Sequence, residues 1–135
     1  MRNKGDNFRT IWQKPNYPEV VQIIDQRRLP HEYVIHDLKS WQDGATAIRD
    51  MLVRGAPLIG ATAAWSLYLA ALEFQSNTDC KSDIVEAAEK LGETRPTAVN
   101  LRWALDRVLK IVASTEDGSL IPTLEKEARD ICEED

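Results

Sequence analysis

The sequence predicts a mainly α fold, with a small antiparallel β element at the amino terminus followed by a helical bundle. Three observations predict it. Up to residue 39, short β-branched and aromatic runs alternate with prolines; beyond it, apolar residues recur at spacings of three and four; and from Gly55 to Leu72 the chain carries no charge. With 135 residues, 43% of them hydrophobic, there is enough apolar surface for one core.

The β element takes residues 1–39. "TIWQ", "EVVQIIDQ" and "EYVIHDL" favour strands because branched and aromatic side chains fit a pleated, half-buried surface, and Pro15, Pro18 and Pro30 separate them as turn residues. Residues 40–135 form the bundle. Ser40 can accept a hydrogen bond from the first free backbone amides of a helix, Asp43 falls in its first turn, and Ala47, Ile48, Met51 and Leu52 make an apolar stripe. Gly55 suits the stop of that helix and Pro57 the first position of the next.

The second helix, from Pro57 to Phe74, is apolar all round and rich in Ala, with Gly60 among them, which places it at the centre of the bundle, enclosed by other helices at short range. A polar loop near Gln75–Thr78 leads to a helix from about Ser82 to Leu91, which "GETRP" breaks, and Pro96 opens another. There Ala98, Leu101, Leu105, Val108 and Val112 recur on one face, with Arg102, Asp106 and Lys110 on the other. A final helical pattern starts near Leu120 and has no stop signal, as if the chain were cut.

The net charge of −5 argues against a broad basic surface for nucleic acid or an anionic membrane, so any anion site must be focused. The first six residues lack the apolar core of a secretion signal, and Pro57, Thr62 and Ser66 interrupt the uncharged run, so the reading is a soluble cytoplasmic protein with no membrane or nucleic-acid partner. Cys80 and Cys132 lie far apart with no zinc-type spacing and are read as free thiols; no metal or cofactor is expected. His31 and His36 are read as solvated or structural, and Trp41, Trp65 and Trp103 as core or interface anchors. There is no glycine-rich dinucleotide or nucleotide loop and no nucleophile elbow.

Arg54 and Arg95 stand out, each just ahead of a proline-started helix in "RGAP" and "RPT". Exposed amides at a helix start attract anions, and an adjacent arginine adds a fork of charged donors. If the two helix starts converge, Arg54, Arg95 and the amides near Gly55 and Ala56 hold a phosphate or a sugar hydroxyl. The plainer reading is that each arginine meets a carbonyl or solvent.

"IRDMLVRGAPLIGATAA" together with "TRPTAVNLRWALDRVL" resembles the amino-terminal part of the methylthioribose-1-phosphate isomerases, with "IIDQRRLP" as a weaker third match in the same order. The resemblance runs from about Ile11 to the last residue. It implies conversion of 5-methylthioribose 1-phosphate to 5-methylthioribulose 1-phosphate in methionine salvage, without a redox cofactor, by a full-length homodimer. It also implies that Arg54, Gly55, Ala56 and Arg95 contact substrate, and that the catalytic cysteine and aspartate belong to a Rossmann-like carboxy-terminal domain absent here. Cys80 and Cys132 match neither catalytic position, so no catalytic residue is assigned in this chain and alone it is expected to be inactive. Leu58 stands where the family's "RGAPAIG" has a small residue, which leaves fine substrate preference open. Two relatives of the same fold remain as alternatives: the non-catalytic regulatory subunits of translation initiation factor 2B, and ribose-1,5-bisphosphate isomerase.

Overall fold

Strands β1 (Ile11–Lys14), β2 (Tyr17–Ile24) and β3 (Ile35–Leu38) form an antiparallel meander in the order β1-β2-β3, in a computed structural model that describes residues 10–133. Ile11 pairs with Ile23 and Val21 with Leu38, so these four apolar residues are buried together on the face that meets the helices. A side-chain ladder crosses the sheet and fixes the same register: Trp12 Nε1 donates to Gln22 Oε1 at 2.9 Å, and Gln22 Nε2 donates to Asp37 Oδ1 at 2.8 Å. Pro18, expected as a turn residue, lies inside β2. It is tolerated there because the pairing slips at Gln13/Lys14, and its carbonyl accepts from the Tyr68 hydroxyl at 2.7 Å.

Helix α1 (Trp41–Arg49) starts as expected, with Ser40 Oγ accepting from the Asp43 amide. It stops earlier than the apolar stripe implied. Met51 takes a left-handed φ of 64° and is exposed, while Leu52 and Val53 turn inward and are buried. The stop falls to Met51 and not to Gly55, and tertiary burial of the next two residues offsets the backbone strain.

Helix α2 (Ala56–Phe74) is the centre of the molecule, and every residue from Ile59 to Ala71 is buried. By length and composition it could cross a membrane, but it is mostly buried among the other helices, as the core helix of a globular fold is. Small residues let those neighbours approach. A Cβ on Gly44 of α1 would lie 1.9 Å from Ser66 Oγ, and one on Gly60 would lie 3.6 Å from Ala104 Cβ of α4.

Helix α3 (Cys80–Thr94) runs through Gly92, beyond the expected end at Leu91, and the Arg102 guanidinium lies against that glycine. Helix α4 (Val99–Ser114) buries Leu101, Leu105, Val108 and Val112 and exposes Arg102, Asp106 and Lys110, the division its spacing predicts. Pro96 does not open it. Arg95 ends α3, and a short turn intervenes before Val99. A 3-10 turn (Asp117–Ser119) precedes α5 (Leu120–Glu133), whose Glu127 is buried against Arg107.

Helix α5 also ties down the sheet. Gln13 Nε2 donates to Glu125 Oε2 at 2.7 Å, and Arg129 Nη2 to Gln13 Oε1 at 2.6 Å. Sheet and helices share one core. Trp65 lies in it, edge-on to Tyr68 at 5.3 Å, and Trp41 packs at its border. Trp103 instead remains 47% exposed beneath the Arg107 guanidinium. The two cysteines are not joined in a disulfide, and burial pushes the Cys80 thiol up.

At the end of β2, Asp25 is fully buried and ionised. Its carboxylate accepts from Arg27 Nη2 at 2.8 Å and lies 3.3 Å from His36 Nε2. The Arg27 hydrogen bond outweighs burial and holds the Asp25 carboxyl at about 2, against an ordinary 3.8. Because the folded value is the lower one, this contribution is fully present above the unfolded value and is lost as pH falls through the folded one. Denaturant melts are therefore expected to lose about 2 kcal/mol of stability between about pH 5 and pH 1 in excess of Asp25→Asn, which lacks the titration. Equal slopes for the two proteins would assign the acid sensitivity elsewhere.

Candidate functional site

The sharp bend between α1 and α2 aims Arg54 and Gly55 at solvent. Gly55 has φ 89° and ψ 136°, a conformation that side chains with a Cβ rarely adopt, although a Cβ there would meet open space. The glycine is required by backbone geometry, not by room. It leaves the first amides of α2 without a side-chain cap and with no acidic residue in the first turn. Helix α4 begins in the same state, with Ala98 in the capping position and no acidic residue in its first turn.

These two helix starts open on one cavity of about 370 Å³. Arg54, Gly55, Ala56 and Arg95, the four residues singled out in the sequence, all line it, so the convergence on which the anion reading depended is present. Asn100 of α4 adds a polar side chain, and Met51, Ile59, Ala98 and Val99 give the cavity an apolar flank. Gly60, one turn inside α2, lies beside Ala104 and the Asn100 carbonyl of the second helix start.

Arg54 partly follows the plainer reading, since its Nη2 donates to the Gln26 carbonyl at 3.2 Å. That bond engages one of five guanidinium N–H groups and holds the planar fork in place. The Arg95 side chain has no hydrogen-bond or ion-pair partner among the described residues. Gln26, Met51, Ile59 and Asn100 were not foreseen; for Gln26 the only sequence signal was its place in "IIDQRRLP".

Charge is one-sided in this cavity. Among the described residues its ionisable side chains are two arginines, with no carboxylate, histidine or thiol beside them. Two helix starts and two guanidinium groups concentrate positive charge locally in a chain of net charge −5. The same lining can hold a charge but cannot exchange a proton, because a guanidinium stays protonated. A larger groove of about 670 Å³ differs in kind, since its Lys14 already lies 3.6 Å from Asp37.

His31 is exposed, and His36 faces Asp25 and not the cavity. Among the described residues, no three His, Cys, Asp or Glu side chains gather as metal ligands would.

The chain is 44% identical over its whole length to methylthioribose-1-phosphate isomerase of Cereibacter sphaeroides and 43% to that of Paramagnetospirillum magneticum, but covers only 35% and 36% of those proteins. It thus spans about a third of the length of the curated relatives it matches. The crystal structure of 5-methylthioribose 1-phosphate isomerase from Pyrococcus horikoshii superposes with a TM-score of 0.80 at 37% identity, over 94% of this chain and 36% of that one. The structure of the translation initiation factor eIF-2B delta subunit from A. fulgidus superposes with 0.84 at 31% identity, over 96% and 38%. The model of the initiation factor 2 subunit family matches residues 52–134, well over half of the sequence and inclusive of both arginines and both helix starts: the chain belongs to that family.

Proposed function

We propose that this chain is the amino-terminal domain of a cytoplasmic aldose–ketose isomerase that converts 5-methylthioribose 1-phosphate to 5-methylthioribulose 1-phosphate in methionine salvage. Arg54, Arg95 and the amides of Gly55 and Ala56 hold the substrate phosphate. The observation that carries the reading is the convergence of two arginines and two uncapped helix starts on a cavity that no carboxylate among the described residues lines. Identity of 44% and 43% over the whole of this chain to enzymes named for this sugar phosphate supports the substrate.

Isomerisation needs an acid and a base placed around C1 and C2 of the sugar, since the phosphate on C1 blocks simple ring opening. This cavity lacks both, so a carboxy-terminal domain supplies them and works as a homodimer. An apolar strip leads away from the cavity mouth along α4, where Val99 is 78% exposed and Trp103 lies one turn further on. That strip suits cover by the missing domain.

The 135-residue chain alone is expected to show no isomerase turnover, and adding a cognate carboxy-terminal domain in trans is expected to restore it. Turnover by the isolated chain would place a catalytic pair within it and overturn the division of labour. A second reading, a non-catalytic subunit that acts through protein contacts, draws on the likeness to the initiation factor subunit. It predicts that no carboxy-terminal domain restores turnover. Comparing turnover of the methylthio sugar phosphate with ribose 1,5-bisphosphate by the reconstituted protein decides between the two isomerase activities.

A further inference from the structure

Asp25 has no place in the cavity, yet its carboxylate is connected to Arg54 through a single peptide unit. The amide of Arg27 donates to Asp25 Oδ1 at 2.9 Å, and the carbonyl of the same peptide, that of Gln26, accepts from Arg54 Nη2 at 3.2 Å. Neighbouring bonds leave that peptide little freedom. Gln26 N donates to the Leu52 carbonyl at 2.7 Å, which ties the end of β2 to the bend that carries Arg54, and Asp25 N donates to the Val34 carbonyl at 2.8 Å. Arg27 Nε and Nη2 close on the Asp25 carboxylate, which is itself fully buried.

A carboxylate on the N–H end of a peptide draws that hydrogen towards itself and strengthens the carbonyl as an acceptor, because hydrogen bonds in a chain polarise one another. It also fixes the plane in which the carbonyl lies. Arg54 is on the surface and would otherwise sample many rotamers, so the orientation of its fork depends on this one acceptor.

We propose that Asp25 is a positioning residue for anion recognition, acting on Arg54 through the Gln26–Arg27 peptide. The inference rests on the anion reading of the cavity.

The test is a double-mutant cycle on the 135-residue chain. The probe is inorganic phosphate, followed by the NMR shift of the Gly55 amide, with thermal melts recorded for every variant. Arg54→Ala is expected to weaken phosphate binding at least tenfold. Asp25→Asn is expected to weaken it about three- to tenfold when Arg54 is present and not at all in the Arg54→Ala background. Arg27→Ala, which loosens the same carboxylate but keeps its backbone bond, is expected to repeat this coupling in milder form and serves if Asp25→Asn does not fold. If Arg54→Ala leaves phosphate binding unchanged, the anion reading itself falls. If Arg54→Ala weakens binding but Asp25→Asn has no effect, or the same effect in both backgrounds, the positioning role is overturned and the anion site stands.

Discussion

Arg54→Ala and Arg95→Ala, each made in the protein reconstituted with its carboxy-terminal domain, are expected to lower kcat/KM for 5-methylthioribose 1-phosphate on the order of 10- to 100-fold. A hydrogen bond to a charged group contributes about 1.5–3 kcal/mol, and each tenfold step corresponds to about 1.4 kcal/mol. Most of the loss should fall in KM, since a phosphate that stays bound throughout the reaction is held similarly in ground and transition states. The two losses should not add, because both guanidinium groups line the same 370 Å³ cavity and residues that share one partner couple. Unchanged kinetics in both variants would remove the proposed anchor. Neither residue packs in the core, so the melting temperature is the control and should hold steady.

Gly44→Ala should have the largest effect on stability. A methyl group there would lie 1.9 Å from Ser66 Oγ and 2.9 Å from Ser66 Cβ, and Ser66 sits in the middle of α2, where it cannot retreat. Overpacking of this kind costs about 1–3 kcal/mol, a large part of the stability of a small domain. Ser66→Gly in the same chain removes both clashing atoms and should recover much of the loss. Denaturant melts of the two single variants and the double variant measure it. A Gly44→Ala protein as stable as the parent would mean that α1 and α2 are not packed as described.

Much of this fold is legible in the sequence, where local pattern and tertiary packing agree. The uniform apolarity of α2 marks it as central, and the spacing from Leu101 to Val112 fixes the buried face of α4. Where they disagree, the sequence misleads. No local rule puts a methionine in a left-handed turn, and Met51 adopts one because Leu52 and Val53 gain burial and Gln26 donates to the Leu52 carbonyl. Gly92 reads as a helix breaker, yet it makes room for an arginine ten residues further on. Of the site, "RGAP" and "RPT" identify its four residues. The cavity's apolar flank and the Gln26 acceptor come from segments that only the folded chain brings together.

The enclosed position of α2 has a consequence for the order of synthesis. Two of its covering helices, α4 and α5, follow it in the chain, so on the ribosome an apolar helix waits several seconds for its cover. During that interval its apolar surface is open to association with other chains, and only the arrival of the later helices removes that hazard.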